Sequence, residues 1–373
     1  MIRRTSEPQF STYFHSRGRA LGLPIAGNFE LTARCNFNCP MCYIHHSKEQ
    51  IAASGRKELT AEQWLGIAES AKNNGMIFAL LTGGEPLLRE DFFEIYGGMK
   101  KMGLMISINT NGSLLKGEIL ERFLKDPPFR FNISLYGGCN ETYERMCGRP
   151  VYELVKENIR TLKNAGVEVS LNLSVTPYNC GDLERIYKDA EELDVGVKMT
   201  TYMYPPVRIK GDGCEANDRL SAHDAAKYTV MWDKLRLTDE MFAQRAENMA
   251  KCISDEPLSC PMEEGEGVRC RAGSSSFWMT WDGKMLPCGL MTEPAAYPLE
   301  VGFDNAWKTI REKTAEIRMP SKCAACGYKD ICGVCAAVCS AETGAFDAVP
   351  EYVCEKICET VRITQEYCSE RNL

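Results

Sequence analysis

Cys35-Asn-Phe-Asn-Cys39-Pro-Met-Cys42 places three cysteines within eight residues, directly after the apolar, strand-like stretch Ile25 to Ala33. Three thiolates this close cannot all pair as disulfides, because one is always left over. They can instead converge on three irons of one cubane cluster and leave the fourth iron open to react. A zinc site lacking its fourth ligand and simple packing of small side chains are the competing readings. Structural zinc takes four ligands, which counts against the first.

From Ile25 to Tyr204 short β-branched or apolar runs alternate with longer amphipathic ones, the pattern of repeated strand-helix units and a parallel sheet. Strands are expected near 25–33, 77–82, 104–110, 130–135, 167–175 and 195–203, and helices near 60–74, 90–102, 116–125, 151–165 and 181–193. Thr60 with Gln63 forms a capping-box pattern, and Gly75, Gly103 and Gly166 stand where helix ends favour a left-handed residue. In parallel α/β barrels the chemistry lies at the C-terminal strand ends. The cysteine loop follows the first strand, Gly83-Gly84-Glu85-Pro86 the second and Thr110-Asn111-Gly112 the third, while Ser134 closes the fourth.

The cysteine spacing, the following Tyr43 and the Gly83-Gly84-Glu85-Pro86 motif resemble the radical S-adenosylmethionine (SAM) enzymes. The resemblance implies a six-stranded partial (β/α)6 TIM-like barrel over residues 24–204, after an N-terminal extension of residues 1–23. It implies a [4Fe-4S] cluster on Cys35, Cys39 and Cys42 whose open iron chelates the methionine part of SAM. One electron then yields a 5'-deoxyadenosyl radical that takes a hydrogen atom from substrate. By the same resemblance, the backbone of Gly83 and Gly84 and the carboxylate of Glu85 meet the SAM ammonium. Thr110 and Ser134 offer hydroxyls to SAM, and Leu173 or Val175 packs on the adenine. Where many relatives carry an arginine for the SAM carboxylate, this chain has Cys147, leaving Arg145 or Arg149 to replace it. Met41 stands where an aromatic is common.

Residues 205–257 lose the strand-helix rhythm and read as linker helices, at 220–234 and 239–252. Beyond them, Cys270, Gly283 and Cys288 precede Cys323-Ala-Ala-Cys326, Cys332-Gly-Val-Cys335, Cys339 and Cys354. Pairs separated by two residues present both thiolates to one metal. Downstream of such a barrel, the order in residues 258–373 resembles the SPASM domain, which implies two further [4Fe-4S] clusters. Cys323, Cys326, Cys332 and Cys354 would hold the outer one. Cys270 and Cys288 would hold the inner one with Cys335 and, upstream, Cys260; Cys339 and Cys252 are the rivals for the last two places. Trp278 and Trp281 flank Gly283 on an expected hairpin that covers a cluster. The remaining cysteines, Cys139, Cys147, Cys180, Cys214, Cys358 and Cys368, are expected to pack, and His15, His45, His46 and His223 to lie at the surface or in loops.

Composition limits the alternatives. The chain has 373 residues, 44% of them apolar, enough for a large core. Its 44 Lys and Arg against 51 Asp and Glu give a formal charge of -7, which argues against a nucleic-acid partner. The longest apolar run, Met76 to Leu81, falls far short of the ~20 residues that span a bilayer. Without an export signal, an odd count of 19 cysteines fits metal ligation in a reducing compartment, and a cytoplasmic location is expected.

The expected activity is SAM-dependent hydrogen abstraction from a ribosomally made peptide, giving thioether or carbon-carbon crosslinks or epimerisation. A flavodoxin or ferredoxin-type electron donor is implied. Oxidative maturation of a small-molecule or haem-type precursor is the alternative. Formylglycine formation on a sulfatase is disfavoured, because Gly289 follows Cys288 where those maturases place Asp. With about 23 residues before the first strand, too few for an independent fold, leader recognition is expected to fall to a separate protein or to the linker and SPASM surface.

Overall fold

The computed structural model describes residues 7–44, 46–206, 218–253 and 265–371. Helix α1 (Glu7–Leu21) leads into β1 (Ala26–Glu30), and the cysteine loop and α2 (Lys48–Ser54) follow. Then come α3 (Ala61–Asn73), β2 (Phe78–Thr82), α4 (Phe92–Lys101), β3 (Met105–Thr110), α5 (Gly117–Lys125) and β4 (Arg130–Ser134). The barrel unit closes with α6 (Asn140–Cys147), α7 (Tyr152–Asn164), β5 (Val169–Ser174), α8 (Leu183–Glu192) and β6 (Gly196–Thr200). These six strands pair in parallel in the order β6-β5-β4-β3-β2-β1, each beside its sequence neighbour. Helices between successive parallel strands return the chain to the same edge, so the C-terminal strand ends gather on one side.

The sheet continues past the expected six strands. Helices α9 (Ala222–Arg236) and α10 (Asp239–Cys252) precede a hairpin of β7 (Ser276–Met279) and β8 (Met285–Leu286). β7 lies parallel to β1, with Ala26 opposite Ser276 and Phe29 opposite Met279, so the sheet has eight strands. β1 therefore has no free edge. Its Phe29 is fully buried and meets the Trp64 and Phe277 rings edge-on at 6.0 and 5.8 Å. The chain ends with α11 (Pro298–Val301), α12 (Phe303–Glu316), α13 (Ser321–Ala324), α14 (Ala336–Thr343) and α15 (Glu351–Arg371), the last packed along α9.

Within the N-terminal extension, α1 docks on the segment 269–275 that leads into this hairpin. His15, expected near the surface, is buried, and its Nδ1 lies 2.9 Å from Ser275 Oγ. Burial, with Arg271 and Arg19 nearby, drops its pKa to about 4. His46 is partly buried with its ring against Trp281, and His223 is exposed and pairs with Glu359, while His45 lies outside the described residues.

The capping box forms as expected: Thr60 accepts from Gln63 N, and the Gln63 side chain accepts from Thr60 N at 3.0 Å. This starts α3, whose Trp64 is fully buried against β1. Thr60→Ala is expected to cost about 1 kcal/mol. A fall in the urea midpoint at unchanged slope would measure it.

Candidate active site

A cavity of about 450 Å³ opens at the C-terminal ends of β2 to β6. Cys35, Cys39 and Cys42 line it together with Gly83, Gly84, Thr110, Ser134 and Leu173. The sequence thus brings three thiols, a glycine pair and two hydroxyls to one concave surface.

The cysteine loop is tied down from several sides. Asn111 Nδ2 donates to Asn36 Oδ1 at 2.9 Å, Asn36 Nδ2 donates to Ser113 Oγ at 2.9 Å, and Asn38 N donates to Cys147 O at 3.1 Å. Below it, Arg34 meets Glu58 through two bonds of 3.0 Å, and buried Arg89 donates to the Leu31 and Leu59 carbonyls at 2.9 Å. Asn111 was not singled out in the sequence beyond its motif, yet it joins the end of β3 to the cysteine loop.

Burial pushes the Cys35 thiol up to about 12 and raises Cys39 as well. Such thiols ionise when a cation takes their protons' place. Among the described residues, no three His, Cys, Asp or Glu side chains converge on a single metal ion. Three partly buried thiols on one cavity wall fit a polynuclear iron cluster in which each thiolate would meet its own iron.

The Gly83 and Gly84 pair has a packing cause. A Cβ on Gly83 (φ +143°) would sit 2.4 Å from Thr32 O, and one on Gly84 would sit 2.3 Å from Arg34 O. Gly84 N donates to Thr32 O and Glu85 N to Arg34 O, both at 2.8 Å, so the two strand extensions run in contact. Only glycine permits that approach.

Glu85 is buried and is not among the residues that line the cavity. Its buried carboxylate accepts from Thr110 Oγ1 at 2.9 Å, Asn111 N at 2.8 Å and Leu87 N at 3.1 Å. Burial outweighs these donors and lifts its pKa to about 7. The side chain supports the wall, and the hydroxyl of Thr110 is directed to Glu85. Leu173 lines the cavity and Val175 does not. Neither Arg145 nor Arg149 lines it either; among its described lining residues the cationic one is Lys198 on β6. Sequence reasoning did not single out Lys198, because β6 is the edge strand and an exposed lysine is ordinary there.

The C-terminal thiols fall into two neighbourhoods. Cys323, Cys326, Cys332 and Cys354 lie near one another, and burial raises Cys323 to about 11. Cys270, Cys288 and Cys335 lie near Tyr204, whose ring lines the first cavity. Cys339 is fully buried on α14 between the groups. Cys260 lies outside the described residues, as do Cys214 and the side chain of Cys252. Cys358, expected to pack, is instead exposed beside Cys332 and Cys354. The Trp278 ring lies against Gly289, where a Cβ would come within 2.7 Å of it, and its Nε1 donates to Glu30 Oε2 at 2.6 Å.

Residues 29–190 match the radical SAM superfamily. That stretch is a radical SAM domain, and a cysteine-rich C-terminal region follows it. It is similar to the AdoMet-dependent heme synthase of Methanosarcina barkeri, 27% identical over 85% of this chain and 93% of that one. The protein of the same name from Oleidesulfovibrio alaskensis is 25% identical over 83% and 81%. In fold it is similar to Streptococcus suis SuiB bound to SAM, at TM-score 0.60 and 18% identity over 95% of this chain and 82% of that chain. It is also similar to anSMEcpe with bound AdoMet, at TM-score 0.66 and 19% identity over 93% and 98%. No helix among the described residues is long and apolar enough to cross a membrane.

Proposed function

We propose that the protein is a radical SAM oxidoreductase that matures a carboxylate-bearing cofactor precursor of the haem type. The observation that carries this is the near-full-length likeness to two AdoMet-dependent heme synthases. It moves the haem-type reading ahead of the peptide reading favoured by sequence.

In this reading Cys35, Cys39 and Cys42 hold the [4Fe-4S] cluster that, when bound with SAM, supplies the electron for SAM cleavage and hydrogen abstraction. Gly83, Gly84, Thr110 and Ser134 shape the SAM side of the cavity, and Glu85 fixes the rotamer of Thr110. Lys198 supplies positive charge toward a carboxylate. Leu173 offers an apolar face to a flat ring. Cys270, Cys288 and Cys335, with Cys260 upstream, hold an inner cluster, and Cys323, Cys326, Cys332 and Cys354 an outer one. An electron left on the substrate then has a path out of the cavity past Tyr204, making the net reaction an oxidation. A flavodoxin or ferredoxin-type protein supplies the starting electron.

A second reading, peptide modification, is supported by fold neighbours determined with peptides: SuiB bound to precursor peptide SuiA, and anSMEcpe with the Cp18Cys peptide. The deciding experiment is anaerobic incubation of the reconstituted protein with SAM, a reductant and porphyrins bearing propionate arms. 5'-Deoxyadenosine and a porphyrin of changed mass, formed together, are the expected result. Unchanged porphyrins alongside an altered peptide, encoded next to the gene and co-expressed, would transfer the assignment to the second reading.

A further inference from the structure

Tyr202 follows β6 and stands between two cavities. With Thr200 and Tyr204 it lines both the first cavity and a second of about 590 Å³. A ring with open space on either side moves between rotamers unless something holds it. Tyr202 is held at three points. Its N donates to Thr200 Oγ1 at 3.2 Å, and that hydroxyl donates back to Tyr202 O at 3.3 Å. Its ring meets Tyr204 edge-on with centroids 4.7 Å apart, and Tyr352 of α15 at 5.8 Å. Its hydroxyl donates to Glu342 Oε1 at 2.5 Å.

Glu342 comes from α14 and is itself clamped. Arg219, just ahead of α9, donates to its Oε1 at 2.7 Å and its Oε2 at 3.3 Å, and the guanidinium lies 4.1 Å from the centre of the Tyr352 ring. The Glu342 side chain is 9% exposed and that of Arg219 20%, so both charges are largely out of water. A buried ion pair adds little net stability, because desolvation offsets most of the attraction. What this pair does is fix the direction of one acceptor oxygen, and the group bound to that oxygen is the hydroxyl of a cavity-lining ring. Ile44, Met199, Met203 and Leu290 also line the first cavity, so the space next to Tyr202 suits a flat apolar body better than a polar one.

We propose that Tyr202 is a specificity-determining residue whose ring packs on the flat ring of the substrate, and that Glu342, clamped by Arg219, is its positioning residue. The proposal rests on the haem-type reading and deepens it: the C-terminal region, through α14, shapes the substrate end of the barrel cavity as well as carrying thiols. Substrate then meets a wall already in place, and little ordering cost falls on binding.

The test titrates mesoporphyrin IX into the reconstituted full-length protein with SAM. Affinity is followed together with the circular dichroism induced in the Soret band, which reports how side-chain rings are set against the porphyrin plane. Wild type is expected to bind with an induced signal. Tyr202→Ala should weaken binding about ten- to hundredfold, the range for losing one large buried side chain. Tyr202→Phe keeps the ring and loses its bond to Glu342. Arg219→Met with Glu342→Leu removes the pair together, so no buried charge is stranded. Each should weaken binding about three- to tenfold, the range of one specific aromatic contact, and reduce the Soret signal. Glu342→Gln retains an acceptor oxygen and should keep most of both. Because Glu342 acts through the Tyr202 hydroxyl, adding Arg219→Met and Glu342→Leu to Tyr202→Phe should bring no further loss, and additive losses overturn the positioning role. Removal of the pair that lowers the urea midpoint but leaves affinity and Soret signal unchanged shows a structural role only and overturns it too. Wild-type protein that binds no porphyrin sinks the haem-type reading and this inference together, whereas wild-type binding that Tyr202→Ala preserves sinks this inference alone.

Discussion

Replacing Cys35, Cys39 and Cys42 together by alanine is expected to abolish SAM cleavage while iron remains bound in the C-terminal region. The three side chains line the first cavity, and the two C-terminal neighbourhoods contain none of them. Each thiolate would hold a different iron, so losing all three leaves no site for the cluster that reduces SAM. Fold should survive, because the loop is held by Asn36, Asn38 and Arg34 rather than by the thiols. Iron content, the visible spectrum and 5'-deoxyadenosine formation check the three parts separately. SAM cleavage persisting in this variant would refute the assignment, and loss of all iron would refute the independence of the C-terminal sites.

The second large effect concerns Glu85. Its carboxylate satisfies two backbone N–H groups and one hydroxyl, all buried. Glu85→Gln places an amide NH₂ among donors, so at least one loses its acceptor, at a cost of about 1–3 kcal/mol. SAM affinity should fall with it, because Thr110 and Asn111 lose their anchor at the cavity wall. The pH dependence follows from the raised pKa. Burial makes the folded carboxyl hold its proton up to about 7, against an ordinary carboxyl value of 4.5. Its stabilising contribution is therefore fully present below the unfolded value, is lost as pH rises through the folded one, and is level above that. Urea unfolding across that range should show wild type losing stability with pH at this site, and Glu85→Gln removing that part of the slope. A variant with an unchanged slope would show that the carboxylate does not titrate in this window.

The barrel was legible because each strand-helix unit carries its own signals: apolar runs, the Thr60 box, and glycines at Gly75, Gly103 and Gly166 that do take positive φ. The hairpin at Gly283 was legible as well, but its place beside β1 in the sheet was not. β7 and β8 are four and two residues long, and the pairing of β7 with β1 joins positions about 250 residues apart, which no local pattern encodes. α1 escaped notice because Ser6 to Arg19 is largely polar, with only His15 and its neighbours turned inward. At the site, residue types were legible and orientations were not. An acid beside two glycines says nothing of which way it points, and here the donors at Thr110, Asn111 and Leu87 decide it.

The pairing of β7 with β1 also bears on electron transfer. Cys288 follows β8 and the loop of Cys35 follows β1, with β7 paired between those two strands, so both thiol groups are carried by one sheet. Their separation is set by backbone hydrogen-bond register instead of by a flexible tether. Clusters bound at both thiol groups would then keep one spacing, because a single sheet carries them both.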